Sequence, residues 1–370
     1  MELNSKKIFL ICTEPSGDQL GRDLIAKIEK RFKNFEIVGI GGEKMNELNF
    51  NSLLDTNGMN VNGIIEVLIR FSFFLKFFNK TVKSILTINP DIVVTIDSPS
   101  FNYRVVKKLQ FLRPKTKFVH IVAPTVWAWK RYRAKLFAKN YDLILTLFDF
   151  EPKYFQKYNK NAFCIGHPIF YEKHIVSPKK NLITFLPGSR LNEIEYILPK
   201  MILIFKKLKI LYSGYDFKII TLPFLENRVS KLVKNEKIKI VSSKHDKDLA
   251  LKETKLAIAS SGTVILELAN KFTPTIVVYN SNLLTSIIVK YLVNLKWANL
   301  VNIILKKNVL PEFLFSKFEV EEVINSAEQI IGSKKLQQKQ IDSFLILKKK
   351  MIINRRDPMD LAIDYIKSKL

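Results

Sequence analysis

The chain has 370 residues, 47% of them hydrophobic and 25% charged, which suffices for two domains with full cores and excludes a largely disordered protein. Its two cysteines, Cys12 and Cys164, exclude a disulfide scaffold and fit a reducing cytoplasm. The +26 net charge, from 60 Lys+Arg against 34 Asp+Glu, favours a polyanionic partner: nucleic acid, anionic lipid or a phosphorylated substrate. Compositional drift towards lysine in an AT-rich genome gives the same excess, so charge alone names no partner.

The apolar run Ile8 to Cys12 is too short for a signal segment and leads into a glycine-containing turn. No stretch reaches about 18 uncharged apolar residues, so no transmembrane helix is expected. Lys7–Thr13 reads as a buried strand and Asp18–Phe32 as a helix, with Leu20, Leu24, Ile25 and Ile28 on one face. Strands are predicted next at Glu36–Ile40, Asp91–Ile96, Lys117–Val122 and Leu143–Leu147. Strands alternating with helical stretches imply βαβ units and a parallel sheet.

The pattern resets near Gly166-His167-Pro168, and a basic stretch at 177–181 reads as a linker. A second set follows: strand Leu182–Leu186, a helix from about Glu193 to Leu211, then strands Phe217–Thr221, Lys237–Val241, Leu256–Ala259 and Thr275–Tyr279. The chain is helical from about Asp342, with a break at Asp357-Pro358. The expected organisation is α/β throughout. An N-terminal domain covers 1–168, a C-terminal domain 178–341, and helices at 342–370 pack back on the first domain or on a partner. In such folds ligands bind beyond the carboxyl ends of the strands, so residues just after strands matter most and a cleft between two domains is the expected site.

Strand one runs into Glu14-Pro15-Ser16-Gly17-Asp18. Glu14 stands where a carboxylate would face the cleft; the alternative is a turn carboxylate capping the helix. The segment is not a dinucleotide fingerprint. Asp91–Ile96 delivers Asp97, an acid at an apolar strand end where poor solvation suits a base; capping the helix after Pro99 is the alternative. Trp127-Ala128-Trp129-Lys130 pairs indoles with basic residues, which suits a sugar or acyl site, although core packing explains the tryptophans as well.

In the second half, Pro187-Gly188-Ser189-Arg190 ends a strand, and Arg190 can clamp a phosphate bidentately. Strand Leu256–Ala259 ends in Ser260-Ser261-Gly262-Thr263 and a helix carrying Glu267. Small residues at a helix start expose N–H groups to an anion, and a carboxylate one turn in can accept a ribose diol. A sugar-nucleotide diphosphate site is therefore expected here. No metal site is read: the four histidines are unclustered and no D-x-D pair marks a metal site.

Gly63–Leu86 spaces Ile64, Val67, Leu68, Phe71, Phe74, Leu75 and Phe78 as a helix, with Phe73 and Phe77 broadening the apolar face. Arg70, Lys76, Lys80 and Lys83 are interleaved, the pattern of an interfacial helix on anionic lipid; a core or dimer-interface helix is the alternative. Leu283–Trp297 is a weaker segment of the same kind.

Taken together, the residues resemble the lipid-A-disaccharide synthase family. The likeness runs through Glu14-Pro15-Ser16-Gly17-Asp18, Gly41-Gly42-Glu43-Lys44-Met45, Gly63-Ile64-Ile65-Glu66-Val67-Leu68 and Ile96-Asp97-Ser98-Pro99. It continues in Ala123-Pro124-Thr125-Val126-Trp127-Ala128-Trp129, Gly166-His167-Pro168, Leu186-Pro187-Gly188-Ser189-Arg190 and Ser261-Gly262-Thr263 with Glu267. The resemblance implies a GT-B fold of two Rossmann-like doubly wound domains with a central cleft and a C-terminal helical crossover. It implies an inverting, metal-independent transfer that needs no cofactor. The donor would be UDP-2,3-diacylglucosamine, the acceptor 2,3-diacylglucosamine 1-phosphate, and the place the inner face of the inner membrane, with an anionic surface as partner, no nucleic acid, and a homodimer compatible with the sequence.

By that resemblance Asp97 is the essential acid of the acceptor side and Arg190 meets the donor diphosphate. Asn302 and Glu312 match family residues near the nucleotide. Ser16, Gly17, Asp18 and Trp127 would shape the acceptor side. The chain departs from the family where Ser100 replaces a frequent Asp, at Val301, and at Phe315. Rival readings are another GT-B enzyme, such as a UDP-N-acetylglucosamine 2-epimerase, and a non-catalytic basic membrane- or nucleic-acid-binding protein.

Overall fold

The computed structural model describes residues 6–32, 34–59, 71–112, 115–172, 178–281 and 296–369. Arg70 with the segment before it, and most of the Leu283–Trp297 segment, lie outside the described residues. The chain divides into two compact units: Met1–Pro168 with Met351–Leu370, and Ile169–Lys350.

The first unit holds a six-stranded sheet: β1 (Lys6–Cys12), β2 (Phe35–Ile40), β3 (Ile92–Ile96), β4 (Lys117–Ile121), β5 (Leu143–Thr146) and β6 (Ala162–Cys164). Their order is β2-β1-β3-β4-β5-β6, and every pair is parallel. Parallel strands covered on both faces are continuous apolar runs, and β3 (IVVTI) is buried at all five positions. The one polar member, Thr95, satisfies its hydroxyl at 3.1 Å from the Val119 carbonyl and 2.7 Å from His120 Nδ1.

Helix α1 (Pro15–Arg31) follows β1, opening on a proline at its first turn, closing on Lys30 and Arg31, and burying Leu24, Ile25 and Ile28. Its outer side carries α14 (Pro358–Lys367), the last helix of the chain. Lys27 meets Asp360 at 2.9 Å and Asp357 at 3.3 Å, Arg31 meets Asp364 at 2.7 Å, and Met359, Leu361, Ala362 and Ile363 join the core of β1 and β3. Exposed ion pairs contribute little, so the apolar face holds this helix in place.

The second unit holds β7 (Leu182–Leu186), β8 (Asp216–Ile220), β9 (Lys239–Val241), β10 (Leu256–Ser260), β11 (Thr275–Tyr279) and β12 (Glu312–Leu314). The order is β12-β11-β10-β7-β8-β9, again all parallel. Strand order reverses between β7 and β10 here and between β1 and β3 in the first unit. Such switch points open a crevice at the strand carboxyl ends. Helix α7 (Leu191–Leu211) and α12 (Val320–Gly332) pack together over the sheet. Gln340, on α13 (Lys334–Met351), brackets the Thr275 backbone with its side-chain amide, accepting at 2.8 Å and donating at 3.3 Å.

Helix α3 spans Phe71–Ile88. It turns Phe77, Thr81 and Ile85 to the core, and Phe78 is half-buried against the same cluster. Phe71 is 62% exposed, Leu75 49% and Phe73 36%, while Phe74 is half-buried. The exposed apolar surface therefore centres on Phe71, Phe73 and Leu75, with Lys76, Lys80 and Lys83 also exposed. Among the described residues no helix is long and apolar enough to cross a membrane.

Candidate active site

The switch point of the first sheet gathers Glu14, Ser16 and Asp97. Glu14 is the residue before α1, but its side chain makes no capping bond. Instead it accepts from the Ser98 hydroxyl at 2.8 Å, and Ser98 accepts from Thr13 at 2.7 Å. Asp97 takes the Ser16 hydroxyl on Oδ2 at 2.7 Å and the Ser98 N–H on Oδ1 at 2.9 Å. The two carboxylates are thus joined through Ser98, whose hydroxyl donates to Glu14 and whose backbone N–H donates to Asp97.

The backbone that presents Asp97 is bent sharply. Asp97 and Ser98 both lie in the left-handed region, at φ +54° and +42°. Two such non-glycine residues in a row cost roughly 1–3 kcal/mol each, and strain of this kind concentrates at functional sites. Asn102 holds the bend by donating to the Asp97 carbonyl at 2.7 Å. Gly17 makes room for it: a Cβ there would stand 3.0 Å from the Ile96 carbonyl oxygen and 3.4 Å from Asp97 Cβ.

Other residues of the sequence reading on this unit have partners of their own. Asp18 is buried and accepts from the N–H groups of Gly42, Lys44 and Met45, which fixes the turn after β2. Trp127 is buried and donates its indole N–H to Glu151 at 2.9 Å. Glu151 also accepts from the Leu147 and Phe148 N–H groups, yet burial outweighs these three donors and raises its pKa to about 7. Trp129 is the exposed tryptophan of the pair, with Lys130 over its ring. At Ser100, where the family often carries Asp, the hydroxyl accepts from Arg133 at 3.1 Å.

The second sheet forms a cavity of about 280 Å³ at its own switch point. Gly188, Ser189 and Arg190 after β7 line it from one side. Ser261, Gly262, Thr263 and Glu267 after β10 line it from the other, and Lys247 joins them. Gly188 sits at φ +122°, where glycine is required, and a Cβ there would overlap Glu193. Glu193 is nearly buried and accepts from the Ser189 N–H at 2.8 Å and from Arg190 Nη1 at 3.2 Å. The loop thus folds around Glu193 and leaves the Arg190 guanidinium half exposed at the cavity.

Ser261 donates to the Ala298 carbonyl at 2.9 Å. Glu312 holds the same segment, accepting from the Ala298 and Asn299 N–H groups and from the Asn299 side chain. Its pKa is raised, chiefly by burial. Asn302 is wholly buried and bonded to Val309 and Leu310. Neither Asn302 nor Glu312 lines the cavity.

A D-x-D spacing, overlooked in reading the sequence, does occur at Asp246-Lys247-Asp248. Both acids are engaged: Asp246 with the hydroxyl of the helix cap Ser243, Asp248 with Lys252 and Lys271. Among the described residues no group of three or more His, Cys, Asp or Glu is arranged to hold a metal.

Residues 8–362 match the family model described as lipid-A-disaccharide synthetase. The lipid-A-disaccharide synthase of Rickettsia akari is 34% identical over 98% of this chain and 95% of its own length. That of Rhodospirillum centenum is 33% identical over 90% and 87%. The chain belongs to the lipid-A-disaccharide synthetase family. It is therefore a glycosyltransferase of lipid A biosynthesis. Solved structures share the fold at low identity. One is the UDP-GlcNAc 2-epimerase of Neisseria meningitidis bound to UDP-GlcNAc (TM-score 0.61, 11% identity, covering 93% of this chain and 98% of that one). Another is the spinosyn rhamnosyltransferase SpnG (0.57, 9%, covering 97% and 99%). The GT-B architecture is common to them all, and only the family match separates transferase from epimerase.

Sequence reasoning found Arg190, Ser261, Gly262, Thr263 and Glu267, which share one cavity. It missed Lys247, Glu193 and Ser98. Lys247 had a legible signal: Ser243-x-x-Asp246 marks a helix start after β9, and Lys247 falls in the first turns beyond it. The roles of Ser98 and Glu193 depend on contacts with Glu14 and with the Gly188 turn, which spacing alone does not reveal.

Proposed function

We propose that this family member condenses UDP-2,3-diacylglucosamine with 2,3-diacylglucosamine 1-phosphate, releasing UDP and forming the lipid A disaccharide 1-phosphate with inversion. What supports the reading is the cavity at the β7/β10 switch point, lined by Arg190, Lys247, Glu267 and the hydroxyl residues Ser189, Ser261 and Thr263 among others, in a chain that matches the family from residue 8 to 362. A guanidinium held through Nη1 by Glu193 keeps its other N–H groups for a diphosphate, and a carboxylate in the same cavity suits a ribose diol.

The acceptor 6-hydroxyl attacks the anomeric carbon as the bond to the UDP oxygen breaks, and the electron pair leaves on the diphosphate. Arg190 and the Ser261–Thr263 turn meet the growing charge. Asp97 takes the hydroxyl proton. Its oxygens each accept one hydrogen bond in the structure, and each keeps a lone pair for the acceptor. Glu14, linked to it through Ser98, is the alternative base. The exposed Phe71, Phe73 and Leu75 with Lys76 support a peripheral seat on an anionic membrane surface, on the cytoplasmic face where such substrates are used.

The test is incubation of the protein in detergent with both substrates and EDTA, followed by mass spectrometry. The tetraacyl disaccharide phosphate with equimolar UDP is expected. UDP release without disaccharide would point to another acceptor, and epimerised UDP-N-acetylglucosamine with no disaccharide would overturn the reading.

A further inference from the structure

We propose that Lys247 is a positioning residue that orients Glu267 to accept the ribose diol of the donor nucleotide; the inference rests on the donor reading given above. Lys247 lies on α9 (Lys244–Glu253), whose start is pinned by Ser243: its hydroxyl accepts from the Asp246 N–H at 3.1 Å and donates to the Asp246 carboxylate at 2.7 Å. One turn on, Lys247 Nζ stands 2.7 Å from Glu267 Oε2, with both side chains only about a quarter exposed and both lining the cavity. The pair therefore belongs to the site itself and not to the outer surface.

A glutamate has three rotatable bonds, and binding both hydroxyls of a diol requires one fixed carboxylate edge. An ammonium anchored on Oε2 supplies that constraint and leaves Oε1, with the remaining lone pair of Oε2, for two O–H donors. The neighbouring charges agree with this division. Asp248 is committed to Lys252 and Lys271, which draws its pKa down to about 2, so it does not compete for Lys247. Glu172 presents a like charge to Glu267, its own pKa raised by burial and by the repulsion of Glu267 and Asp248. Among the described residues, Glu267 is ion-paired with Lys247. Arg190, tied to Glu193, remains for the diphosphate.

The experiment compares UDP with 2′-deoxy-UDP by calorimetry on the full chain, in the wild type and in Lys247→Met, with Lys247→Gln in reserve should that variant not fold and Lys247→Arg as the conservative rescue. The wild type should prefer UDP by about tenfold, the scale of one hydrogen bond to a charged group. In Lys247→Met the preference should fall to within about twofold of unity through loss of UDP affinity, and Lys247→Arg should restore most of it. Parallel loss of both ligands would mean that Lys247 meets the phosphates or merely supports the fold, and would overturn the inference. So would a preference left intact in Lys247→Met. A wild type that binds both ligands equally would overturn the ribose role of Glu267, and the Lys247 inference with it.

Discussion

The two switch points have the same topology and opposite furnishing. In the first sheet the crevice is filled by its own hydrogen bonds: Thr13, Ser16 and Ser98 serve two carboxylates, and the backbone under Asp97 is strained to present it. In the second the crevice is an open cavity walled by cations, small residues and two carboxylates, Glu193 and Glu267, each paired with a cation. On the proposed mechanism a general base would need its carboxylate aimed before substrate arrives, and the hydrogen bonds fixed on Asp97 suit that need. The proposed diphosphate site would need volume and donors: a Cβ at Gly262 would stand in open space, Gly188 lets the loop close on Glu193, and the Arg190 guanidinium stays half exposed.

If the contrast reflects chemistry on one side and binding on the other, substitutions should separate kcat from affinity. Asp97→Ala should carry the largest effect, lowering turnover by ~10²–10⁴-fold with UDP affinity unchanged in calorimetry. Turnover near wild type would remove Asp97 as base and leave Glu14. Arg190→Met should behave in the opposite sense, weakening UDP by roughly 10- to 100-fold. Glu193→Gln should reproduce part of that loss by freeing the guanidinium and the Ser189 loop. Should Arg190→Met leave UDP binding intact, the diphosphate would have to lie elsewhere.

A third prediction concerns stability and contrasts buried with open carboxylates. Burial raises Glu151 from its ordinary 4.5 to about 7. The folded state then holds the proton more tightly than the unfolded chain. The associated stability is fully present below pH 4.5 and is lost as pH rises through about 7. Wild type should lose on the order of 3 kcal/mol across that window relative to Glu151→Gln, which cannot titrate. Urea unfolding of both proteins at pH 4.5 and 8 measures it, and parallel stability curves would refute it.

Much of the framework is written in local pattern. Leu182–Leu186 and Thr275–Tyr279 are apolar runs bounded by polar or turn residues, and a buried parallel strand leaves that signature. The three-residue edge strands β6 and β12 were not legible, whereas the equally short β9 was read from the alternating run Lys237–Val241 around it. The cavity residues were visible because small residues and Arg190 follow strands directly. Asn302 and Glu312 came from family likeness alone, and the structure spends them on holding the 296–310 segment. Trp127 shows why indoles mislead: the buried one has a buried acid as its partner, and only the fold brings residues 127 and 151 together.

The smallest effect should come from the helix that turns one side to the core and the other to solvent. Helical spacing selected Phe78, but that ring packs inward, and the structure exposes Phe71, Phe73 and Leu75. Periodicity gives the repeat of an apolar face without saying which of two apolar faces meets protein. On this arrangement Lys76→Ala should weaken binding to vesicles rich in anionic lipid by about fivefold, the worth of one lysine near a charged surface. Binding to neutral vesicles should hardly change, because the apolar contribution remains. Phe71→Ser should instead weaken both kinds of vesicle. If Lys76→Ala lowers binding equally on neutral and anionic lipid, the helix acts through packing and its charge is incidental. If neither substitution matters in a co-sedimentation assay, the exposed rings serve another contact, and the membrane seat must be sought on a different face.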